Sequence, residues 1–166
     1  MNDKMVKVTY NNLEVKEFKE GTTLREISES FKHNYAYEIL AAKVDNDIKD
    51  LSDEINKKCN VEFYDRSSRI GNSIYFSSAN FMMILAVRNI LGPDARVIIE
   101  HSLDKGVYCV VENAVINKTI LKKVEDEMHK ISEADYIFTK MSVSRLDAIR
   151  YFKKRKLMDK VNVLRY

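Results

Sequence analysis

The residues of this chain whose types best suit chemistry are Glu100, His101 and Ser102, with Cys109 a few positions on. A carboxylate, an imidazole, a hydroxyl and a thiol are the groups of general acid–base and nucleophilic catalysis. The runs Arg96–Glu100 and Val107–Val111 flank Asp104-Lys105-Gly106 and predict a hairpin. Successive strand residues point to opposite faces, so His101 is expected to share a face with Cys109 and not with Ser102. The favoured reading of the triplet is the plainer one, a polar strand end beside a turn. A second candidate is Lys153-Lys154-Arg155-Lys156, which suits phosphate or RNA. Here too the plainer reading is favoured: cations at a helix C-terminus complement the macrodipole. No aromatic ladder for stacking bases is evident nearby.

Other polar residues carry less. His33 follows the first helix as a surface residue, and His129 sits among Glu125-Asp126-Glu127 and Lys130 on a polar face. Three scattered histidines and two cysteines lack metal-ligand spacing. Cys59 and Cys109 form no C-x-x-C pair, which argues against a disulfide scaffold and fits a reducing cytoplasm. The pair Met82-Met83 reads as core filling. No G-x-x-x-x-G-K-[ST] occurs, so the chain has no P-loop phosphate cradle.

The 166 residues suffice for one domain or two small ones, at 45% hydrophobic and 32% charged. The longest unbroken apolar run, Phe81–Val87, falls well short of the roughly 20 residues that cross a membrane. No basic-then-apolar leader opens the chain. The net charge of +3 is unevenly spread. Residues 1–66 hold 11 basic and 14 acidic residues, whereas residues 67–166 hold 17 and 11. The excess concentrates between Arg145 and Arg165, with eight bases and two acids.

The elements that must position these groups fall into two sets. Lys7–Tyr10 and Leu13–Phe18 alternate around Asn11-Asn12 and predict a hairpin. Thr23 with Glu26 is a capping box, and Leu24, Ile27 and Phe31 are the stripe of a helix lying on a sheet. Strands at Ile39–Val44 and Val61–Tyr64 complete a β-grasp. Arg66–Asn72 is expected to be a linker, with Asn72 or Ser73 capping the next helix. Within Ile74–Val87, 11 of 14 residues are apolar. A helix apolar on all sides is expected to be buried and to organise a second core, and Gly92-Pro93-Asp94 stops it. The hairpin follows, then a helix capped at Asn117 with Ile120, Leu121, Val124, Met128 and Ile131 inward. A strand at Tyr136–Met141, a helix capped by Ser144 and Asp147 and reaching about Arg155, and a strand beginning at Val161–Leu164 end the order.

Three strings in the first set resemble a TGS domain, the ubiquitin-like module at the front of threonyl-tRNA synthetases and related proteins. They are Glu20-Gly21-Thr22-Thr23-Leu24, Leu40-Ala41-Ala42-Lys43-Val44-Asp45 and Asp50-Leu51-Ser52. The second set resembles the editing domain of those synthetases. The likeness runs through Ala86-Val87, Pro93-Asp94-Ala95, Asp104-Lys105-Gly106-Val107-Tyr108, Val143-Ser144-Arg145, Ala148-Ile149 and Tyr151-Phe152. The implied architecture is α+β: a β-grasp at 1–66, a linker at 67–72, and at 73–166 an α+β domain built on a long buried helix and a mainly antiparallel sheet. The last is expected to be truncated, since the chain stops inside the anticipated strand.

The resemblance also implies a loss. Editing domains carry His-x-x-x-His on the long helix, and counting back from Ala86-Val87 places Ser77 and Phe81 there. Their Cys-x-x-x-His half-site is also missing. Editing is therefore not expected. Ser77, Phe81, His101, Tyr108 and Cys109 would then line a binding pocket with no catalytic residue and no metal. The pairing of a TGS module with a His-less second domain, and the string Val97-Ile98-Ile99-Glu100-His101-Ser102 with Gly106-x-Tyr108-Cys109, resembles the N-terminal half of bacterial uridine (nucleoside) kinases. This implies a non-catalytic regulatory region sensing a nucleoside, nucleotide or tRNA-like RNA. ATP and Mg would belong to a downstream kinase domain that is also its intramolecular partner. The alternative is the N-terminal region of a threonyl-tRNA synthetase-like protein that binds tRNA with editing lost.

Overall fold

The computed structural model describes residues 4–103, 106–136 and 141–165. They form two compact units, Met1–Lys130 and Ile131–Tyr166. The architecture is mixed α+β with mostly antiparallel sheets.

The first unit opens with β1 (Met5–Tyr10) and β2 (Glu14–Lys19), paired antiparallel across Asn11 and Asn12. Both asparagines hold φ near +50 to +60°, a region that asparagine tolerates. A short β3 (Thr22–Thr23) leads into α1 (Leu24–Glu29). Thr23 caps this helix with the expected capping box. The strings Asp50-Leu51-Ser52 and Asp53 supply what the cap leaves over. The N–H of Leu24 donates to the Asp53 carbonyl and that of Arg25 to the Leu51 carbonyl. Asp50 in turn accepts from the Ser52 N–H and hydroxyl, a local turn of the kind aspartate favours.

The sheet continues with β4 (Ile39–Val44), β5 (Asp47–Lys49), β6 (Glu54–Ile55) and β7 (Cys59–Asp65). The five-stranded order is β2-β1-β7-β4-β5, with β1 and β7 parallel. The strict alternation of burial along β7 shows a sheet wet on one face only. Val6, Val8, Leu24, Ile27, Phe31, Val61 and Phe63 fill the other face as one core, and the Tyr10 and Phe31 rings stack at 4.2 Å.

The expected linker is a tight junction. Asp65 is buried, and its carboxylate accepts from the Ser67 N–H (2.9 Å), the Ser67 hydroxyl (2.5 Å) and the Tyr37 N–H (3.2 Å). Helix α2 (Arg69–Leu91) starts at once, capped by Ser68 and not by Asn72 or Ser73. The Ser68 hydroxyl accepts from the Gly71 N–H and donates to the Asp65 carbonyl. Gly71 is needed here, because a Cβ would lie 1.9 Å from that carbonyl oxygen. The Arg66 guanidinium sits over both Tyr37 (5.1 Å) and Tyr75 (4.9 Å).

The expected burial of α2 is also corrected. Only Gly71, Ala86 and Val87 are buried, and Phe81 is 58% exposed. Strands β4 and β7, and β8 (Arg96–Leu103), pack on α2, and Asn89 near its C-terminus donates to Glu127, contacts that leave most of its 23 residues unburied. By length and composition this helix could cross a membrane, at mean hydropathy 1.3. The run-length reading overlooked it because Ser77, Ser78 and Asn80 interrupt the run without adding charge. Strand β9 (Gly106–Glu112) pairs with β8, and α3 (Lys118–Glu133) begins where Asn117 accepts from the Ile120 N–H.

The second unit holds α4 (Arg145–Lys154), capped by Ser144, and α5 (Met158–Val163). A strand was expected at Val161–Leu164, but residues 158–163 are helical and Val161 is fully buried. Leu157, Val161 and Leu164 share one face at helical spacing. The Arg145 guanidinium donates to the Leu164 carbonyl and ties the two helices together. The expected strand at Tyr136–Met141 falls on residues 137–140, outside the described residues.

Two expected outcomes test the junction. Gly71→Ala should destabilise the chain by about 1–3 kcal/mol in urea unfolding, because backbone must move. Burial pushes the Asp65 carboxyl up, but the bonds from Ser67, Tyr37 and Ser68 outweigh it and hold its pKa below the ordinary value. A depressed carboxyl contributes stability above its unfolded pKa and loses it as pH falls through the folded one. Asp65→Asn should therefore lower stability at neutral pH and flatten its decline below about pH 4.

Candidate functional site

The hairpin carries the most reactive-looking groups, and its register decides which of them meet. Ile99 pairs with Cys109, but His101 pairs with Tyr108, because one extra residue, Glu100, bulges between them. A bulge interrupts the alternation of side chains. The His101 and Tyr108 rings stack at 5.1 Å and 25°. Tyr108 and Cys109 are successive strand residues on opposite faces. Cys109 therefore does not share a face with His101, contrary to expectation.

His101 is exposed and Tyr108 nearly half exposed, while Cys109 is partly buried. Ser77 and Phe81 both lie on exposed parts of α2, one turn apart. Among the described residues, no hydrogen bond joins Ser77 to the stacked pair. Of the five candidates, His101 and Tyr108 are thus seen to meet among the described residues. Among the described residues, no fully buried nucleophile stands beside this stacked imidazole and phenol, which are open to water. The other thiol, Cys59, is buried. Burial, then the charge of Asp45, raises its pKa, which leaves little reactive thiolate. His33 and His129 are both exposed. Among the described residues, no three His, Cys, Asp or Glu side chains form a set able to hold a metal ion.

A groove of about 630 Å³ lies on the β-grasp, lined by Asn11, Asn12, Asn34, Asn60 and Tyr35 among others. The sequence reading missed it. The signal was the Asn-Asn turn facing Asn60, which becomes visible only when β1 and β7 are known to be parallel neighbours. Several of its polar groups are already committed. The Asn12 N–H donates to Asn60 Oδ1, the Asn60 N–H donates to Asp45 Oδ1, and the Tyr10 hydroxyl donates to the Tyr35 hydroxyl. Burial, with that last bond, pushes the Tyr35 phenol far above its ordinary pKa, so it stays neutral. The groove suits neutral hydrogen-bonding partners, and its charged lining, Glu62 and Asp65, is acidic.

The basic cluster closes α4 in a Schellman motif. The Leu157 N–H donates to the Phe152 carbonyl and the Lys156 N–H to the Lys153 carbonyl, at 2.9 and 3.0 Å. Lys156 takes the left-handed position, at φ +58°. A residue with a Cβ costs about 1–2 kcal/mol there, more than the 0.3–1 kcal/mol that a cation gains from a helix C-terminus. Lys153, Lys154, Arg155 and Lys156 are all exposed. Arg155 lies 4.2 Å over the ring of Tyr151, which is 48% exposed. The sequence shows no aromatic ladder beside this cluster, and the structure adds a single ring rather than a ladder. The spacing of four between Tyr151 and Arg155 was the available sign.

No family model matches the chain. Similar proteins are found over almost its whole length. Threonine–tRNA ligases are among the proteins it is similar to. That of Acetivibrio thermocellus is 29% identical over 162 residues, 97% of this chain and 25% of the relative. That of Desulforamulus reducens is 29% identical over 161 residues, 96% of this chain and 25% of the relative. That of Symbiobacterium thermophilum is 30% identical over 152 residues, 91% and 23% respectively. The chain spans about a quarter of the length of the curated relatives it matches. The similarity agrees with the TGS and synthetase N-terminal resemblance. The uridine-kinase setting finds no support in these relatives.

If the His101–Tyr108 stack is a cross-strand contact alone, His101→Ala should cost about 0.2–1 kcal/mol. Hydrogen exchange should show faster amides in Val107–Val111 and unchanged ones in β1 and β7.

Proposed function

We propose that this chain is a tRNA-contacting region of a threonine–tRNA ligase-like protein, without editing chemistry of its own. One observation carries the reading: similarity to threonine–tRNA ligases extends over 97% of the chain. It therefore embraces the β-grasp, α2, the hairpin and α4 together. What those relatives act on is tRNA by their name, and the same class of partner is assigned here.

Two features of this chain support the assignment. Residues 67–166 carry the basic excess that a polyphosphate partner requires. Ser77 and Phe81 stand where the resemblance implies two histidines. A phenyl ring neither ligates a metal nor transfers a proton, so the chemistry of removing a mischarged amino acid has no carrier on that turn. Binding without hydrolysis is what remains.

The test is a titration with threonine tRNA at several salt concentrations. The log of the association constant should fall linearly with log salt, by about 0.7–0.9 per phosphate contacted. No binding at low salt, or binding indifferent to salt, would sink the reading. Seryl-tRNA incubated with the chain should stay as intact as in buffer, and faster release of serine would overturn the non-catalytic half.

A further inference from the structure

Six described non-glycine residues hold positive φ: Asn11, Asn12, Asp45, Asn113, Asp135 and Lys156. Five are Asn or Asp, the types that accept the left-handed conformation by bonding locally. Lys156 is the exception, and it stands where helices usually place glycine. Local rules of this kind are broken most often where function requires a particular side chain.

The surroundings indicate what that side chain does. Lys153 and Lys154 occupy the last turn of α4, and Arg155 and Lys156 make the cap. Among the described residues, no acidic side chain forms an ion pair with any of the four. The acid on this helix, Asp147, is engaged at the other end by Ser144 and Arg150. Glycine at position 156 would make the same turn at lower strain, and asparagine would also fit. A lysine adds only a cation on a flexible stem. Its chain neighbour Arg155 lies over Tyr151, a ring with half its surface open. A cluster of cations around an exposed ring is the pattern that binds unpaired nucleotides, with phosphates on the cations and a base on the ring.

We propose that the C-terminal end of α4 is a single-stranded RNA contact. Lys153, Lys154 and Lys156 hold phosphates there, Tyr151 stacks a base, and Lys156 keeps its strained position for its charge. The site deepens the tRNA reading above and rests on it.

The experiment uses the full chain and fluorescent tRNA, with anisotropy measured across a salt series. Lys156→Gly should raise the thermal midpoint while weakening tRNA binding several-fold and reducing the salt slope by about one. Lys156→Arg should keep the slope. Tyr151→Leu should weaken binding by roughly fivefold or more with the slope unchanged. Unaltered affinity and slope in Lys156→Gly would overturn this site while the natural chain's tRNA binding still stood. Failure of the natural chain to bind tRNA would overturn both. Polyglutamate held as tightly as an RNA of equal charge would place a protein partner there and overturn the RNA assignment.

Discussion

One buried carboxylate, Asp65, decides how the first unit is assembled. It ends β7, turns the chain and admits α2 without slack. A buried charge is tolerable only when it is fully hydrogen-bonded, and here donors come from both sides of the turn. Ser67 donates from the chain that follows and Tyr37 from the chain that precedes β4. The carboxylate is thus a three-way tie among the strand, the turn and a loop. The start of α2 is built on it. The Ser68 cap, the contact of Gly71 with the Asp65 carbonyl and the seat of Arg66 between two tyrosines all require the chain to leave β7 at one angle.

Much of the first unit was legible from local signals whose physics is complete within a few residues. Thr23 and Glu26 close their own capping box, Asn11-Asn12 makes its own turn, and the alternation in β7 needs only one buried face. What failed needed information from farther away. The stretch Arg66–Asn72 has a linker's composition, and only the distant Tyr37 and the close carbonyl show that it is rigid. The apolar count of α2 states what the helix would bury if surrounded, whereas burial depends on how many elements reach it. At 161–164 two β-branched valines suggested a strand, and the helical face shared with Leu157 won.

The candidate site was legible in part, for the same reason. The hairpin and its residues were visible, yet one bulged residue, Glu100, changed which side chains meet. Alternation is exact only for a regular ladder, and nothing in the composition of Glu100 announces the irregularity. The basic cluster was plain as a run of charge. Its geometry was not, because a lysine in a glycine's place looks ordinary until its backbone is seen.

The parallel pairing of β1 with β7 has a consequence for the order of events as the chain is made. The first strand and the last strand of the β-grasp are central neighbours, so the hairpin that emerges earliest has an unpaired inner edge. That edge stays open until the whole module has been synthesised, a period in which it could pair with another nascent copy. The β1–β2 strands carry alternating charges, Lys7, Glu14, Lys16 and Glu17 among them. In the finished sheet they are ordinary surface pairs; charge of this kind is also what discourages edge-to-edge pairing while an edge stands open.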